Sequence, residues 1–170
     1  MELGTDAKFE LEDGVIYAMA GGSPAHARVQ ANLMRYLGRV LRGSGCRPYG
    51  SDMPLRTLAH TVRFPDITIY CGNPADEERT KAEFLTQPVA VIEVLSPSTR
   101  AFDGGRKLEE FQSLPTVVTV ALVDPDDETV VAFQRDERGI WNDFATDRTG
   151  AIPVPSLGLT IPKDEIFARD

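Results

Sequence analysis

Two carboxylates and a lysine sit where the chain around them expects burial. Phe64-Pro65-Asp66-Ile67-Thr68-Ile69-Tyr70 and Val89-Ala90-Val91-Ile92-Glu93-Val94-Leu95 are strand-like apolar runs with one acid each, and Lys107 follows on the next predicted helix. An ionised carboxylate inside a buried strand is costly unless it is paired or binds a cation. If the two strands are neighbours, Asp66 and Glu93 lie side by side and repel, unless a hard divalent cation sits between them. Mg²⁺ or Mn²⁺ suits such an oxygen-rich pair, with the backbone carbonyl of Val94 as a further ligand. The cation would polarise a phosphoryl oxygen and lower the pKa of a bound water. Lys107 would orient that water or offset charge developing in the transition state. Read singly, each residue has a plainer role: Asp66 in a turn after Pro65, Glu93 paired with Arg106, Lys107 solvated on its helix. Their co-occurrence in one strand–helix–strand unit favours the site.

The elements that must position these groups are legible in outline. Asp13-Gly14 between Phe9–Leu11 and Val15–Met19 predicts an N-terminal β-hairpin. Ser23-Pro24 opens a helix with Ser23 as N-cap, and Val29, Leu33, Leu37, Val40 and Leu41 recur at helical spacing until Gly43-Ser44-Gly45 stops it. Cys46–Arg56 and Val62–Cys71 read as two strands joined through Thr57–His60, followed by a polar connection with a helical turn near Arg79–Phe84. Val89–Leu95 reads as a central strand. A second helix runs from Asp103, as cap, to about Ser113, with Leu108 and Phe111 on its core face. Val117–Val123 is another central strand, and Thr129–Gln134 with Ile140–Phe144 forms a C-terminal hairpin. The tail, with Pro153, Pro155 and Pro162, is expected to pack as irregular edge structure. The order predicts an α/β fold with a mixed sheet, because hairpins give antiparallel pairs and a strand–helix–strand unit a parallel one.

At 170 residues the chain reads as one domain, with an apolar fraction of 42% that can build a full core. No apolar run approaches the roughly 18 residues needed to span a bilayer. No signal peptide is visible at the start. Cys46 and Cys71 match no zinc spacing and are expected as reduced core residues of a cytoplasmic protein. The net charge of −8 excludes an indiscriminate nucleic-acid coat, so any phosphate contact needs a local basic face. Arg28, Arg35, Arg39 and Arg42 form such a stripe on the first helix.

Pro65-Asp66, Glu93-Val94-Leu95 and Lys107 together resemble the PD-(D/E)XK nuclease superfamily. The wider text resembles its Uma-type restriction endonuclease family, through Gly14–Gly21, Ser23-Pro24-Ala25-His26, Ser51-Asp52-Met53 and above all Glu93-Val94-Leu95-Ser96-Pro97-Ser98-Thr99 followed by Asp103, Lys107 and Leu108. The resemblance covers roughly residues 9–167, nearly the whole chain. It implies a restriction-endonuclease-like core, a mixed sheet flanked by helices, with acidic metal ligands at Asp66 and Glu93. Leu95 stands where the superfamily's motif places its lysine, and the resemblance implies that Lys107 on the following helix takes that part. It also puts His26 near the metal site.

The expected activity is therefore Mg²⁺-dependent endonucleolytic hydrolysis of DNA. Asp66 and Glu93 would bind metal, Lys107 would assist the attacking water, and His26 would be a secondary active-site residue. Arg28, Arg35 and Arg39 would contact phosphates. A non-catalytic nucleic-acid-binding or regulatory module, or a metal-dependent hydrolase of another substrate, are the rival readings. Apolar stretches at Val130–Phe133 and Ile140–Phe144 point to a homodimer. His60 belongs to a solvated turn, and Trp141 to core or interface rather than a base-stacking platform.

Overall fold

A computed structural model describes residues 9–18, 22–72, 87–96, 103–145 and 150–169. Strands β1 (Phe9–Glu12) and β2 (Val15–Ala18) pair antiparallel around Asp13 and Gly14, both at positive φ as a two-residue hairpin turn demands. Helix α1 (Pro24–Val40) follows, then β3 (Cys46–Gly50), β4 (Leu55–Leu58), β5 (Thr61–Arg63), β6 (Ile67–Cys71) and β7 (Ala90–Val94). A π-helical turn at Asp103–Lys107 leads into α2 (Leu108–Ser113), and then come β8 (Thr119–Asp124), β9 (Thr129–Arg135) and β10 (Trp141–Ala145). The chain ends in β11 (Ile152–Val154), β12 (Leu159–Ile161) and the short α3 (Lys163–Ile166).

A six-stranded sheet of order β10-β9-β8-β7-β6-β3 forms the centre, and β7–β8 is its parallel pair, as the intervening α2 requires. Side-chain alternation divides its two faces. Ile67 and Ile69 of β6 with Ala90, Ile92 and Val94 of β7 pack under α1, which contributes Val29, Leu33, Leu37 and Leu41. Val91 and Val120 point the other way, onto Phe111, Leu114 and Val117 around α2. Each fully buried Leu or Ile contributes about 1.5–3 kcal/mol relative to exposure, so α1 is fixed chiefly by this stripe.

A second sheet, β2-β1-β5-β4, stands beside the first. The two long strands expected at Cys46–Arg56 and Val62–Cys71 are in fact four short ones. The first breaks at a turn where the Met53 amide donates to the Gly50 carbonyl, just before Pro54. The second breaks at Phe64-Pro65-Asp66, where Pro65 has no N–H for a ladder. There the chain leaves the smaller sheet and enters the larger one.

The tail is not irregular edge structure. Ile152, Val154, Ile161 and Ile166 are completely buried in the α1 core, and Asn32 of α1 donates to the carbonyls of Ile166 and Ala168. Its prolines masked alternating apolar residues that form the two-stranded sheet β11–β12. In the C-terminal hairpin Val130 and Ala132 are buried within the chain, whereas Ile140 is exposed beside the edge strand β10.

Cys46 and Cys71 are not reduced thiols. They stand opposite each other across β3 and β6 and are joined by a disulfide. The sequence expectation failed because cross-strand register, not spacing, brings them together. The cysteines therefore do not argue for a reducing compartment. No helix among the described residues is long and apolar enough to cross a membrane. The helical turn expected at 79–84, the run 97–99 and a side-chain cap from Asp103 lie outside the described residues.

Candidate active site

The site forms where β6 begins and β7 ends. The pairing Ile67↔Ile92 and Thr68↔Val91 sets Asp66 beside Glu93. Asp66 donates its amide to Glu93 Oε2 at 3.2 Å, and Val94 donates its amide to Asp66 Oδ2 at 2.8 Å. Gln30 Nε2 of α1 donates to the Asp66 carbonyl at 3.1 Å. Both faces of the sheet thus hold Asp66 in place. Glu93 is buried, on the α2 side of the sheet with Val91.

His26 reaches the same carboxylate from the other layer. Ser23 caps α1 by accepting the His26 amide at 3.2 Å, which sets His26 in the first helical turn. His26 Nε2 lies 3.1 Å from Asp66 Oδ2, with the ring mostly buried. Gly22 makes room for that ring: a Cβ there would come within 2.7 Å of His26 Nδ1.

Lys107 enters from the π-helical turn before α2 and is 7% exposed, not solvated. Its Nζ is 4.0 Å from Glu93 Oε1 and 3.0 Å from Glu10 Oε1. Arg106 turns instead to Glu12, Asp13 and Glu110, so it is not the partner of Glu93.

Glu10 belongs to β1, and sequence reasoning did not single it out. Its second oxygen meets Arg63 Nη1 at 3.2 Å. Arg63 is 1% exposed and also binds Glu12 at 3.1 Å and Glu110 through two nitrogens at 2.8 and 2.7 Å. Burial works to lower the Arg63 pKa, but the Glu110 hydrogen bonds and the charges of Glu110 and Glu10 outweigh it and raise it. The signal for Glu10 was present: Phe9-Glu10-Leu11-Glu12 places two acids on one face of a strand.

Asp66 and Glu93 offer carboxylate oxygens side by side, and the Val94 carbonyl, on the same side of β7 as its amide, would add a third oxygen to a donor set for a cation. Among the described residues, Asp66, Glu93, Glu10, Glu12, Asp13 and Glu110 lie along this chain of contacts with Arg63, Arg106 and Lys107, and His26 sits on Asp66. Among the described residues no cluster of three or more His, Cys, Asp or Glu is arranged around one metal position. A donor set of two carboxylates, a carbonyl and water is what Mg²⁺ accepts, since it keeps several waters. The residues present fit such an ion.

The arginines are not brought to this site. At about 100° per residue, Arg35 and Arg39 lie on the opposite face of α1 from His26, roughly 13 and 20 Å along the axis. Arg35 and Arg42 are exposed, while Arg39 binds Glu165 at 2.9 Å and lies over the Tyr36 ring. Arg28 is half-buried. Its charge, after the Arg169 hydrogen bond and Lys163, helps hold the Glu128 carboxyl below its ordinary value. His60 is exposed in a turn, and Trp141 packs against the α2 core, donating to the Gln112 carbonyl.

Comparison with known proteins agrees with this architecture. A crystal structure titled as a putative nuclease belonging to DUF820, from Anabaena variabilis, superposes with a TM-score of 0.69 over 94% of this chain and 89% of that one, at 21% identity. At that identity the likeness establishes the fold, an α/β fold with a mixed sheet. The uncharacterized protein slr1290 of Synechocystis sp. is 33% identical over 94% of this chain and 83% of its own length. A second Synechocystis protein, the uncharacterized sll1609, is 28% identical over 69% of this chain and 66% of its own. The model of the Uma2 family, described as "putative restriction endonuclease", matches residues 1–162. With that match over nearly its whole length, the chain belongs to the Uma2 family.

Proposed function

We propose that this protein is a Mg²⁺- or Mn²⁺-dependent endonuclease that hydrolyses phosphodiester bonds in DNA. The observation that carries the reading is the Asp66–Glu93 pair, two carboxylates joined through backbone amides at a strand junction with a buried lysine 4.0 Å from one of them. Family membership supports it. Asp66, Glu93 and the Val94 carbonyl would hold the cation, which when bound polarises the phosphoryl oxygen and lowers the pKa of bound water. His26 fixes the Asp66 carboxylate against that position. Lys107, a cation enclosed by carboxylates, offsets the negative charge that develops on the phosphoryl oxygens. The outer face of α1, with Arg28, Arg35 and Arg39, offers positive charge to phosphates away from the scissile bond.

The test is hydrolysis of DNA with and without divalent cation. Cleavage is expected with Mg²⁺ or Mn²⁺ and not in chelator, and it should vanish in Asp66→Ala and in Glu93→Ala. Cleavage that survives both substitutions would remove the site from these residues.

A further inference from the structure

Lys107 is shared. Its ammonium is closer to Glu10 than to Glu93, at 3.0 against 4.0 Å, and all three side chains are buried. A lysine on a four-carbon stem has many rotamers, and a carboxylate on a separate element can select one of them. Glu10 is itself fixed, because Arg63 binds its other oxygen and is locked in turn onto Glu110. The chain of contacts runs from a buried arginine through Glu10 to the lysine above Glu93. β1 meets β5 through the registered pair Leu11↔Val62, the Gly14 amide donates to the His60 carbonyl at 3.1 Å, and these ion pairs add a side-chain link between the hairpin and the site.

We propose that Glu10 is a positioning residue of the site: it holds the Lys107 ammonium over Glu93, so that the N-terminal hairpin completes a centre otherwise built from β6, β7 and the turn before α2. The assignment deepens the nuclease reading and rests on it for its catalytic consequence. Its structural half stands independently. Glu12 provides the contrast, since it binds the same Arg63 nitrogen at 3.1 Å but pairs with Arg106 instead of Lys107.

The experiment reads the Lys107 ammonium by heteronuclear NMR of lysine side chains, assigned by its loss in Lys107→Arg, together with DNA hydrolysis. In wild type the signal should be slow to exchange and distinct from those of exposed lysines. In Glu10→Gln it should merge with theirs, and kcat should fall about ten- to a hundredfold with KM nearly unchanged, as expected for a misplaced group. Glu12→Gln should leave both readouts as in wild type. Should Glu10→Gln fail to fold, Glu10→Asp keeps a charge for Arg63 and withdraws it from Lys107 by one methylene, and is read in the same way. A Lys107 signal unchanged in the Glu10 variants overturns the assignment. So does a wild-type signal already averaged with exposed lysines, or an equal loss in Glu12→Gln. The ammonium is read without DNA or metal, so a wild type that cleaves nothing would defeat the nuclease reading while this test still decides.

Discussion

Asp66 and Glu93 are each tied to the other's strand: the Asp66 amide binds the Glu93 carboxylate at 3.2 Å, and the Val94 amide binds the Asp66 carboxylate at 2.8 Å. The two acids are therefore aligned before any cation arrives, and what alignment costs in repulsion is offset in part by the two N–H groups. Asp66→Asn and Glu93→Gln keep an oxygen for each amide. Both should lose cleavage while staying within about 1 kcal/mol of wild-type stability in chelator, the worth of one hydrogen bond. Thermal melts in excess Mg²⁺ separate the forms, because wild type should gain about 2.7 kcal/mol at a hundredfold excess over Kd and neither variant should. Melts in which wild type ignores the metal would count against a cation at this pair.

Arg63 is the charge on which three carboxylates depend. Arg63→Met leaves Glu10, Glu12 and Glu110 short of a partner in buried surroundings, where removing one member of an ion pair costs about 3–5 kcal/mol. Lysine is no substitute, since it cannot make the two-nitrogen grip on Glu110. Urea unfolding of Arg63→Met should show a loss of that size; a loss below 1 kcal/mol would mean the cluster is not coupled as its geometry implies.

Gly22 has a role that backbone conformation does not require. Gly22→Ala sets a methyl within 2.7 Å of the His26 ring, which must turn away from Asp66. The expected result is a loss of cleavage smaller than that of His26→Ala, with little change in melting temperature. If Gly22→Ala cleaves like wild type while His26→Ala does not, the ring finds room without leaving Asp66.

Arg28 and Arg35 are tested by salt rather than by rate. Replacing both by Ala should weaken DNA binding and flatten the dependence of log K on log salt by about one unit per lost phosphate contact. Turnover on saturating substrate should be unaffected, because their face of α1 points away from His26. A slope identical to wild type would return the stripe to a solvated helix surface.

The acid pair was readable because strand alternation is a strict period, so Asp66 and Glu93 announced themselves as carboxylates in apolar runs. The Ser23 cap and the Asp13-Gly14 turn were readable for a similar reason, being local hydrogen-bond chemistry. What escaped depends on distant pairing. Glu10 meets Lys107 only because β1 docks on β5, and Cys46 meets Cys71 only through the β3–β6 register. The prolines at 153 and 155 argued for edge structure, yet burial of Ile152, Val154 and Ile161 overrode that local preference.

The disulfide encloses the β4–β5 hairpin, Arg63 and Asp66 within one covalent loop. A protease that nicks the exposed turn at Ala59–His60 would sever the backbone without releasing either piece. His26 and Glu10 would remain on the N-terminal fragment, Asp66, Glu93 and Lys107 on the C-terminal one, and the Cys46–Cys71 bond would keep them as one particle. The nicked protein should run as a single band without reductant and as two with it, and its two halves of the site would part company only on reduction and unfolding.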